Sequence, residues 1–366
     1  MNKIIYLDAA ASYQKSESVI QTEIDFLTQN YANAGRGICA RAVAVDDMVA
    51  RSRARVAGFM NARIDQIVFT AGTTDAMNMV ANMIPMSART KLLVSDIDHH
   101  SARLPFEQKV LARAGVINVC ALDDNLNIDY KNIPYADVFV ITAMSNVLGM
   151  PQNVADIIKA ARDKNPNVIT VVDAAQYVVH EKIDVRAWDC DFVCWSGHKI
   201  GADTGVGVLY VKNPDRFQPV KFGGGMVNKI TENKIIWNNP PDVFEAGTLP
   251  LTQIAGLAQA IDELNQNRPN MGLIKYAYDE LQKIPSVKIL SQREACVLTF
   301  VVDGMHVLDF GALMGARNVC LRVGNMCASW IFKLMNRDGA IRMSIGAYNT
   351  IDDVKYFIKA VKEIVK

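Results

Sequence analysis

The feature that most constrains the fold is a series of short, β-branched segments separated by helical patterns. The strand-like segments span residues 66–70, 91–96, 116–121, 137–143, 168–173, 191–195 and 206–211. Helical periodicity is found at 16–30, 42–61, 73–84, 102–114 and 151–164. Short buried strands that alternate with helices are typical of a largely parallel sheet covered on both faces. We therefore predict an α/β fold with an active site at the carboxyl ends of the strands.

The pattern changes near residue 250, and this change divides the predicted fold into two parts. At 366 residues, the chain is longer than a typical single core of about 100–200 residues. We predict a large domain over residues 15–250 and a smaller α+β domain over 251–366, to which residues 1–14 also contribute.

The small domain is expected to contain both helices and strands. Its predicted helices span 251–267, 271–284, 306–316 and 327–337, with a last helix from Ile351, and its predicted strands span 287–290, 295–302, 318–322 and 340–344. Between the two parts, residues 213–245 are rich in Gly, Asn and Pro. We expect this segment to be a long loop with a functional or interface role.

Composition and charge narrow the class of protein. Apolar residues make up 50% of the chain and the formal net charge is +1, so nothing indicates a global attraction to nucleic acid or to an anionic membrane. Asp8 interrupts the apolar start too early for a signal peptide, and no apolar run approaches the ~18 residues that span a bilayer. We expect a soluble, cytoplasmic protein.

The seven cysteines are odd in number and scattered. This distribution does not fit a disulfide framework, and it favours free thiols in a reducing compartment. Cys190 and Cys194 lie four residues apart without a second pair, so we interpret both as core residues and predict no metal site.

Lys199 closes the segment Ser196-Gly197-His198-Lys199, directly after a strand-like run. A lysine at the end of a buried strand is partly desolvated, which lowers its pKa and lets the amine form a Schiff base with a carbonyl. A surface lysine in a turn is an equally good interpretation from position alone.

Asp173 also ends a strand-like run, 26 residues before Lys199. A buried carboxylate needs a cationic partner, and the pyridinium nitrogen of pyridoxal phosphate is one such partner. The alternative is an Asp that caps the following turn. Gln176 lies one turn further on and could donate a hydrogen bond to a phenolic oxygen of the same ring.

Thr73 and Thr74 follow Gly72 between a predicted strand and a predicted helix. Backbone N–H groups and hydroxyls at a helix N-terminus form a natural phosphate site, although a simple helix cap explains the same residues equally well. The adjacent His99 and His100 follow another strand. One imidazole could stack on a flat ring, but a hydrogen-bonded structural histidine is the simpler interpretation.

Three further residues suit substrate binding. Asn146 follows the run at 137–143, and Arg322 and Arg342 each follow strand-like segments of the small domain. Arginine binds carboxylates with two parallel hydrogen bonds, but either arginine could equally form a surface salt bridge.

Cys327 lies in a predicted turn that opens a helix. A helix N-terminus favours the reactive thiolate, whereas a cysteine without a disulfide partner is more often a small buried hydrophobe. The turn position favours reactivity modestly.

Together, these segments resemble those of the cysteine desulfurases, class V aminotransferases of the fold type I pyridoxal-phosphate superfamily. The similarity is greatest to the SufS-type branch, which also contains selenocysteine lyases, and it covers nearly the whole chain. The segments that carry it are Tyr6-Leu-Asp-Ala-Ala-Ala, Phe69-Thr-Ala-Gly-Thr-Thr, Asp98-His-His-Ser, Ser145-Asn-Val-Leu-Gly, Val172-Asp-Ala-Ala-Gln, Ser196-Gly-His-Lys, Phe244-Glu-Ala-Gly-Thr and Arg342-Met-Ser-Ile-Gly-Ala-Tyr-Asn-Thr.

The resemblance implies a fold type I architecture, pyridoxal 5′-phosphate as cofactor, and a role for each candidate residue. Lys199 would carry the cofactor as a Schiff base and later move protons, His99 would stack on the ring, and Cys327 would take sulfur from L-cysteine as a persulfide. The residues implied in cofactor binding are Thr73, Thr74, His99, Asp173, Gln176, Ser196, His198, Lys199 and Thr248. The residues implied in substrate binding are Asn146 and Arg342, with Arg322 near Cys327.

The resemblance also implies partners. Thr248 matches a residue that reaches the phosphate of the other subunit, which implies a homodimer. The persulfide sulfur would pass to an acceptor protein for iron–sulfur clusters or thiolated molecules.

Two segments depart from the family pattern. The SufS-type branch has a Thr-Gly-His-His-Cys-Ala-Met-Pro run, and here the sequence is Val323-Gly-Asn-Met-Cys-Ala-Ser-Trp. The cysteine is kept, but its neighbouring histidines are lost. A family histidine is also replaced by Cys39 in Arg36-Gly37-Ile38-Cys39. These departures bear on substrate and sulfur acceptor more than on cofactor.

Two other functions remain open at the level of sequence. One is a related pyridoxal-phosphate lyase or aminotransferase, including a selenocysteine lyase, that acts on another amino acid. The other is a scaffold or regulator that has kept the fold and lost activity, against which the retained Lys199, Asp173 and His99 argue.

Overall fold

The computed structural model describes residues 3–35 and 37–366, so Arg36 of the early segment lies outside the described residues. The strands are β1 (Ile5–Tyr6), β2 (Ile67–Thr70), β3 (Lys91–Val94), β4 (Val116–Val119), β5 (Val138–Thr142), β6 (Ile169–Asp173), β7 (Phe192–Ser196), β8 (Gly207–Val211), β9 (Val227–Ile230), β10 (Ile235–Trp237), β11 (Val287–Ile289), β12 (Leu298–Val302), β13 (Val319–Cys320), β14 (Arg322–Gly324) and β15 (Ala340–Met343).

Helices connect most of these strands. They are α1 (Glu17–Asp25), α2 (Ala40–Met60), α3 (Thr73–Met83), α4 (His100–Leu111), α5 (Val154–Lys164), α6 (Tyr177–His180), α7 (Val185–Trp188), α8 (Leu251–Gln266), α9 (Gly272–Leu281), α10 (Val307–Gly315), α11 (Ser329–Leu334) and α12 (Ile351–Ile364).

The main sheet has the strand order β2-β8-β7-β6-β5-β3-β4. Its strands are parallel except for β8, which runs antiparallel to both of its neighbours, β2 and β7. The predicted α/β fold with a mostly parallel sheet is confirmed, and it has the architecture of the fold type I enzymes.

Helices cover both faces of this sheet because successive side chains of a strand point to opposite faces. In β6, Val171 belongs to a buried cluster that includes residues of α3 and α4, and Val172 belongs to another that includes residues of α2, α5 and α8. The central strands are buried at every position. Full burial of each such valine or phenylalanine stabilises the folded state by about 1.5–3 kcal/mol relative to an exposed side chain.

A second, four-stranded antiparallel sheet has the order β11-β12-β15-β14. Its core includes Phe300, Phe310 and Phe357 and is shared with α9, α10 and α12. Strand β1 joins this region by pairing with β13, whereas α8 packs against α1 and α2 of the main layer. The predicted boundary between the large domain (15–250) and the small domain (251–366 with 1–14) stays a prediction.

Three predicted elements were wrong in detail. Residues 213–245 are not a continuous loop, because β9 and β10 pair within them as an antiparallel hairpin. The single strand predicted at 318–322 is divided between β13 and β14, which belong to different sheets. The helix predicted at 327–337 is the short α11, since Met326 and Cys327 have left-handed backbone angles and a helix cannot include them.

The cysteines carry no disulfide bonds, and Cys190 and Cys194 lie in the core as predicted. Over residues 3–35 and 37–366, none of the helices combines the length and apolar character that a membrane crossing requires.

Candidate active site

A cavity of about 400 Å³ lies at the carboxyl ends of the parallel strands, between the two sheets. Segments that follow β2, β3, β5, β6 and β7 meet there because parallel strands end at the same edge of a sheet. Residues from the small region close the other side. The predicted residues in its wall are Thr73, Thr74, His99, Asn146, Asp173, Gln176, Ser196, His198, Lys199, Arg322, Cys327 and Arg342.

Lys199 lies in a short 3₁₀ turn directly after β7. Its Nζ donates hydrogen bonds to the carbonyl oxygens of Ala10 (2.8 Å) and Ala11 (3.1 Å). Burial, reinforced by the charge of Arg342, lowers the Lys199 pKa to about 8. About a tenth of the amine is therefore neutral, and nucleophilic, at pH 7.

Asp173, the last residue of β6, is buried and points into the same cavity. Burial raises its pKa to about 6, against the stabilising effect of a hydrogen bond from the Ala175 N–H (2.9 Å) and the charge of Lys199. The capping bond is thus present, but it does not compensate for the loss of solvation. Three residues on, Gln176 donates from Nε2 to the Ala10 carbonyl (2.8 Å).

The N-terminus of α3 forms the polar end of the cavity. Ser196 Oγ lies 2.7 Å from both the backbone N and Oγ1 of Thr73, and Thr74 and His198 complete this wall. Gly72 has φ +145°, and a Cβ there would lie 3.2 Å from Ser196 Oγ. At Gly207 a Cβ would lie 2.5 Å from Gly72 Cα, so the two chain segments can approach this closely because Gly207 has no side chain.

His99 is the N-cap of α4, and its Nδ1 accepts a hydrogen bond from the Ser101 N–H (3.1 Å). Burial and the charge of Lys199 lower its pKa to about 4, so the ring is neutral at physiological pH. The preceding Asp98 secures this turn by accepting hydrogen bonds from Ser95 and from Thr142 Oγ1 (2.7 Å). A neutral, fixed imidazole suits stacking on a flat ring.

Arg342, on β15, is buried beside Asn146. Its Nη1 donates to the Asn146 carbonyl (2.8 Å) and its Nη2 to Asp8 Oδ1 (3.0 Å). Arg322 Nε lies 3.4 Å from the other Asp8 oxygen. Among the described residues, Arg342 Nε and Asn146 Oδ1 are buried without a hydrogen-bond partner, and buried polar atoms of this kind call for a ligand or water.

Cys327 is exposed at the mouth of the cavity, next to Met326. Asn146 Nδ2 donates to the Met326 carbonyl (2.8 Å), and the Cys327 N–H donates to Asn325 Oδ1 (3.2 Å). The thiol therefore lies in the same cavity as Lys199 while its loop is tied to a residue expected to bind substrate.

Two residues singled out by the resemblance lie outside this cavity. Thr248 is exposed on the segment that precedes α8, and Cys39 is exposed at the N-terminus of α2.

Sequence reasoning missed several residues of the site. In the sequence, Asp8 indicates only a break in an apolar stretch, yet in the structure it forms ion pairs with both Arg322 and Arg342. Ala10 and Ala11 act through carbonyl oxygens, for which side-chain identity gives no signal. The segment Tyr6-Leu-Asp-Ala-Ala-Ala, which carries part of the family resemblance, contains all three residues and is the signal in the sequence that points to them.

Comparison with known proteins is consistent with this arrangement. The model of the aminotransferase class-V family matches residues 5–357. The chain belongs to this family. Within it, the chain is 32% identical to a cysteine desulfurase of Wigglesworthia glossinidia brevipalpis, over 99% of this chain and 93% of that relative. It is 33% identical to a cysteine desulfurase of Cronobacter sakazakii, over 96% and 91%.

Solved structures give the same result for this class-V chain. The apo cysteine desulfurase of Thermococcus onnurineus superimposes with a TM-score of 0.94 at 28% identity, over 100% of this chain and 95% of that one. The S-sulfonic acid form of the cysteine desulfurase CsdA from Escherichia coli gives 0.91 at 28% identity, over 98% and 94%. The resemblance to cysteine desulfurases is confirmed at the level of family, fold and homologous enzymes.

Proposed function

We propose that this protein is a pyridoxal-phosphate-dependent cysteine desulfurase that converts L-cysteine to L-alanine and leaves the sulfur on Cys327 as a persulfide. The observation that supports this most is the presence of Lys199, with its lowered pKa, and of an exposed thiol in the walls of one cavity. An aminotransferase needs the amine but has no use for the thiol.

The residues present fit the cofactor. Asp173 is a buried carboxyl whose raised pKa marks the lack of a sufficient cationic partner, and a protonated pyridine nitrogen would supply one. The hydroxyls of Thr73, Thr74 and Ser196, at the N-terminus of the 11-residue α3, suit a phosphate. His99 would cover the ring, and Gln176 and His198 would contact its polar substituents. When bound, pyridoxal phosphate serves as an electron sink for a carbanion.

Lys199 would hold the cofactor covalently and then act as a base. Because the Lys199 pKa is about 8, the amine exists near neutral pH in both protonation states. Nζ can therefore take a proton from the substrate α-carbon and return it later. Its contacts with Ala10 and Ala11 keep the amine oriented between these steps.

Arg342 and Asn146 would bind the substrate carboxylate. The unpartnered Arg342 Nε is a buried donor, and a carboxylate oxygen is its natural acceptor. Arg322, at the more exposed end of the same cavity, adds positive charge close to Cys327.

Cys327 would perform the sulfur transfer. Its thiolate Sγ attacks the substrate sulfur, an S–S bond forms, and the substrate C–S bond breaks. The electron pair of that bond stays on carbon, which takes up a proton to become the methyl group of alanine. The balance is L-cysteine plus the Cys327 thiol giving L-alanine plus the Cys327 persulfide.

The wider setting belongs to the same proposal. The persulfide would pass to an acceptor protein for iron–sulfur cluster or thiolation chemistry, as in a SufS-type cytoplasmic enzyme. The protein would act as a homodimer in which Thr248 completes the partner subunit's site. Its exposure on one chain is compatible with that position.

The central test is the Cys327→Ser variant of the cofactor-loaded enzyme. We expect the visible absorbance of the lysine-bound cofactor to persist, while alanine and sulfide production from L-cysteine with a reductant falls to background. Lys199→Ala, as the matched control, should lose both. Wild-type turnover by Cys327→Ser would remove the thiol from the mechanism and favour another reaction of the class-V family. If wild type shows no cofactor absorbance after reconstitution, the enzyme proposal fails altogether.

A further inference from the structure

The loop that carries Cys327 has an unfavourable backbone. Met326 and Cys327 are consecutive non-glycine residues with positive φ, at 53° and 54°. Such a conformation is uncommon for residues with a side chain, and it persists only where surrounding contacts hold it. Those contacts decide where the thiol lies relative to the cavity.

His100 supplies several of the contacts. Its backbone N–H donates to the Cys327 carbonyl (2.8 Å), which also satisfies one of the unpaired donors at the start of α4. Its ring Nε2 accepts a hydrogen bond from the Ser329 N–H (3.2 Å) and lies 3.0 Å from Ser329 Oγ. One histidine thus contacts the loop at the carbonyl of the sulfur-carrying residue and again two residues further on, at Ser329.

The His100 ring is itself held in place. It packs edge-on against Trp330, with ring centroids 5.2 Å apart and an interplanar angle of 87°. Trp330 in turn lies 4.1 Å beneath the Arg103 guanidinium. Arg103 is buried and bound to Glu107 and to the Ser95 carbonyl. The loop is therefore connected, through His100, Trp330 and Arg103, to the carboxyl end of β3 in the main sheet.

We infer that His100 is a positioning residue that holds the Cys327 loop in the geometry required for sulfur transfer. His100 does not line the cavity, so it acts through Cys327 and not on the cofactor or substrate. In this chain the loop has no histidines of its own next to the cysteine, and the histidine that contacts it comes from α4. The expected effect on the rate of alanine formation rests on the proposed function. The expected effect on the order of the Cys327 loop does not, and it can be measured separately.

The test compares His100→Ala with wild type in the cofactor-loaded enzyme. Loss of the ring leaves the Ser329 N–H and the Trp330 edge without a partner, so backbone amides of residues 325–330 should exchange hydrogen faster. A displaced nucleophile slows a step that depends on alignment. We expect kcat for alanine formation to fall by about 10- to 100-fold, with little change in KM and in the visible absorbance of the bound cofactor.

Two further variants make the result specific. His100→Gln places an acceptor oxygen near the position of Nε2 and should recover most of kcat and of the exchange protection. His306→Ala is the matched control, because the His306 ring likewise accepts a hydrogen bond from a backbone N–H at the start of a helix, that of Leu308 (3.3 Å to Nδ1), but outside the cavity wall. It should leave residues 325–330 and kcat unchanged.

Several outcomes would overturn the inference. These are wild-type exchange at 325–330 in His100→Ala, wild-type kcat in that variant, or loss of cofactor absorbance together with kcat. If wild type forms no alanine from L-cysteine, the proposed function falls. The exchange comparison then decides the positioning role by itself.

Discussion

At the scale of single residues, the site depends on groups whose charge is disfavoured until a ligand binds. Asp173 is the clearest case, because burial moves its pKa from 3.8 to about 6. Such a shift corresponds to about 3 kcal/mol of folding free energy at neutral pH. Between these values the folded chain binds more protons than the unfolded chain. The contribution of Asp173 to the free energy of unfolding is therefore most favourable below about pH 4, and this advantage is lost as the pH rises through about 6.

We predict that Asp173→Asn stabilises the cofactor-free protein at pH 7, by about 1 to 3 kcal/mol. The gain should be mostly lost near pH 4, where the wild-type carboxyl is protonated in the folded state and about half protonated in the unfolded state. Urea unfolding at the two pH values measures this difference. An equal gain at both values would mean that charge is not the cause. Added pyridoxal phosphate should raise the Tm of wild type more than that of the variant.

Asp8 controls the two arginines of the cavity. It binds Arg342 directly and lies near Arg322, and its charge partly opposes the lowering of the Lys199 pKa by burial and by Arg342. In Asp8→Asn we expect KM for L-cysteine to rise about tenfold, equivalent to about 1.4 kcal/mol, because the guanidinium is no longer held. The acidic limb of the pH–rate profile, assigned to protonation of Lys199, should also move to lower pH.

Steady-state kinetics as a function of pH measure both effects of the Asp8 change. Asp203→Asn is the control, since it breaks a partly exposed pair with Lys15 outside the cavity wall and should leave KM unchanged. An unaltered pH profile in Asp8→Asn would contradict the electrostatic role.

At the scale of elements, one buried ion pair connects the segment before Thr248 to the main layer. Arg53 of α2 and Glu245 form two hydrogen bonds of 2.7 and 2.8 Å, and Glu245 also accepts from the Phe69 N–H of β2 (2.7 Å). The guanidinium lies 4.5 Å from the Phe69 ring centroid. The pair fixes the strand that leads to Thr73 and the loop that bears Thr248.

We predict that Glu245→Gln destabilises the protein by about 3 to 5 kcal/mol, because it leaves the buried Arg53 charge uncompensated. Chemical denaturation measures the change in unfolding free energy. Asp262→Asn is the matched control, since Arg55 of the same helix pairs with Asp262 at a much more exposed position. Its effect should be far smaller, and equal losses in both variants would refute the importance of burial.

At the scale of the whole molecule, the proposed dimer makes each active site depend on two chains. Lys199→Ala and Thr248→Asp should each be poorly active alone, the second because a carboxylate repels a phosphate. When the two are refolded together, one site of each mixed dimer has both wild-type residues, so activity should reappear. Measured alanine formation that stays at the sum of the separate variants would contradict a shared site.

Local sequence was sufficient for the parts of the site that follow parallel strands. Each of these residues lies at the end of a strand or within five residues after it: Lys199, Asp173, His99, Asn146 and Thr73. The ends of such strands meet at one edge, so their proximity follows from the pattern and the topology rule alone. The mostly parallel main sheet was predictable for the same reason.

Contacts between distant segments were not predictable in this way. Asp8 and Arg342 are 334 residues apart, and His100 and Ser329 are 229 apart. No periodicity relates such residues. The intrinsic backbone preferences of Met and Cys also do not predict the left-handed conformation at Met326 and Cys327. The hairpin in residues 213–245 was missed because its strands, β9 and β10, are short and largely exposed.

The sequence by itself determined the α/β fold, the chemical groups at the strand ends and the family resemblance. The fold follows from the alternation of strand-like and helical segments, and the resemblance follows from short motifs. Both can be recognised from residues that are close together in the sequence. Only the tertiary structure decided how charge and nucleophile are arranged: Asp8 between two arginines, and His100 against the loop of Cys327. The physical reason is that burial, electrostatics and long-range hydrogen bonds arise when the two sheets pack together, and residues far apart in sequence then share one low-dielectric cavity.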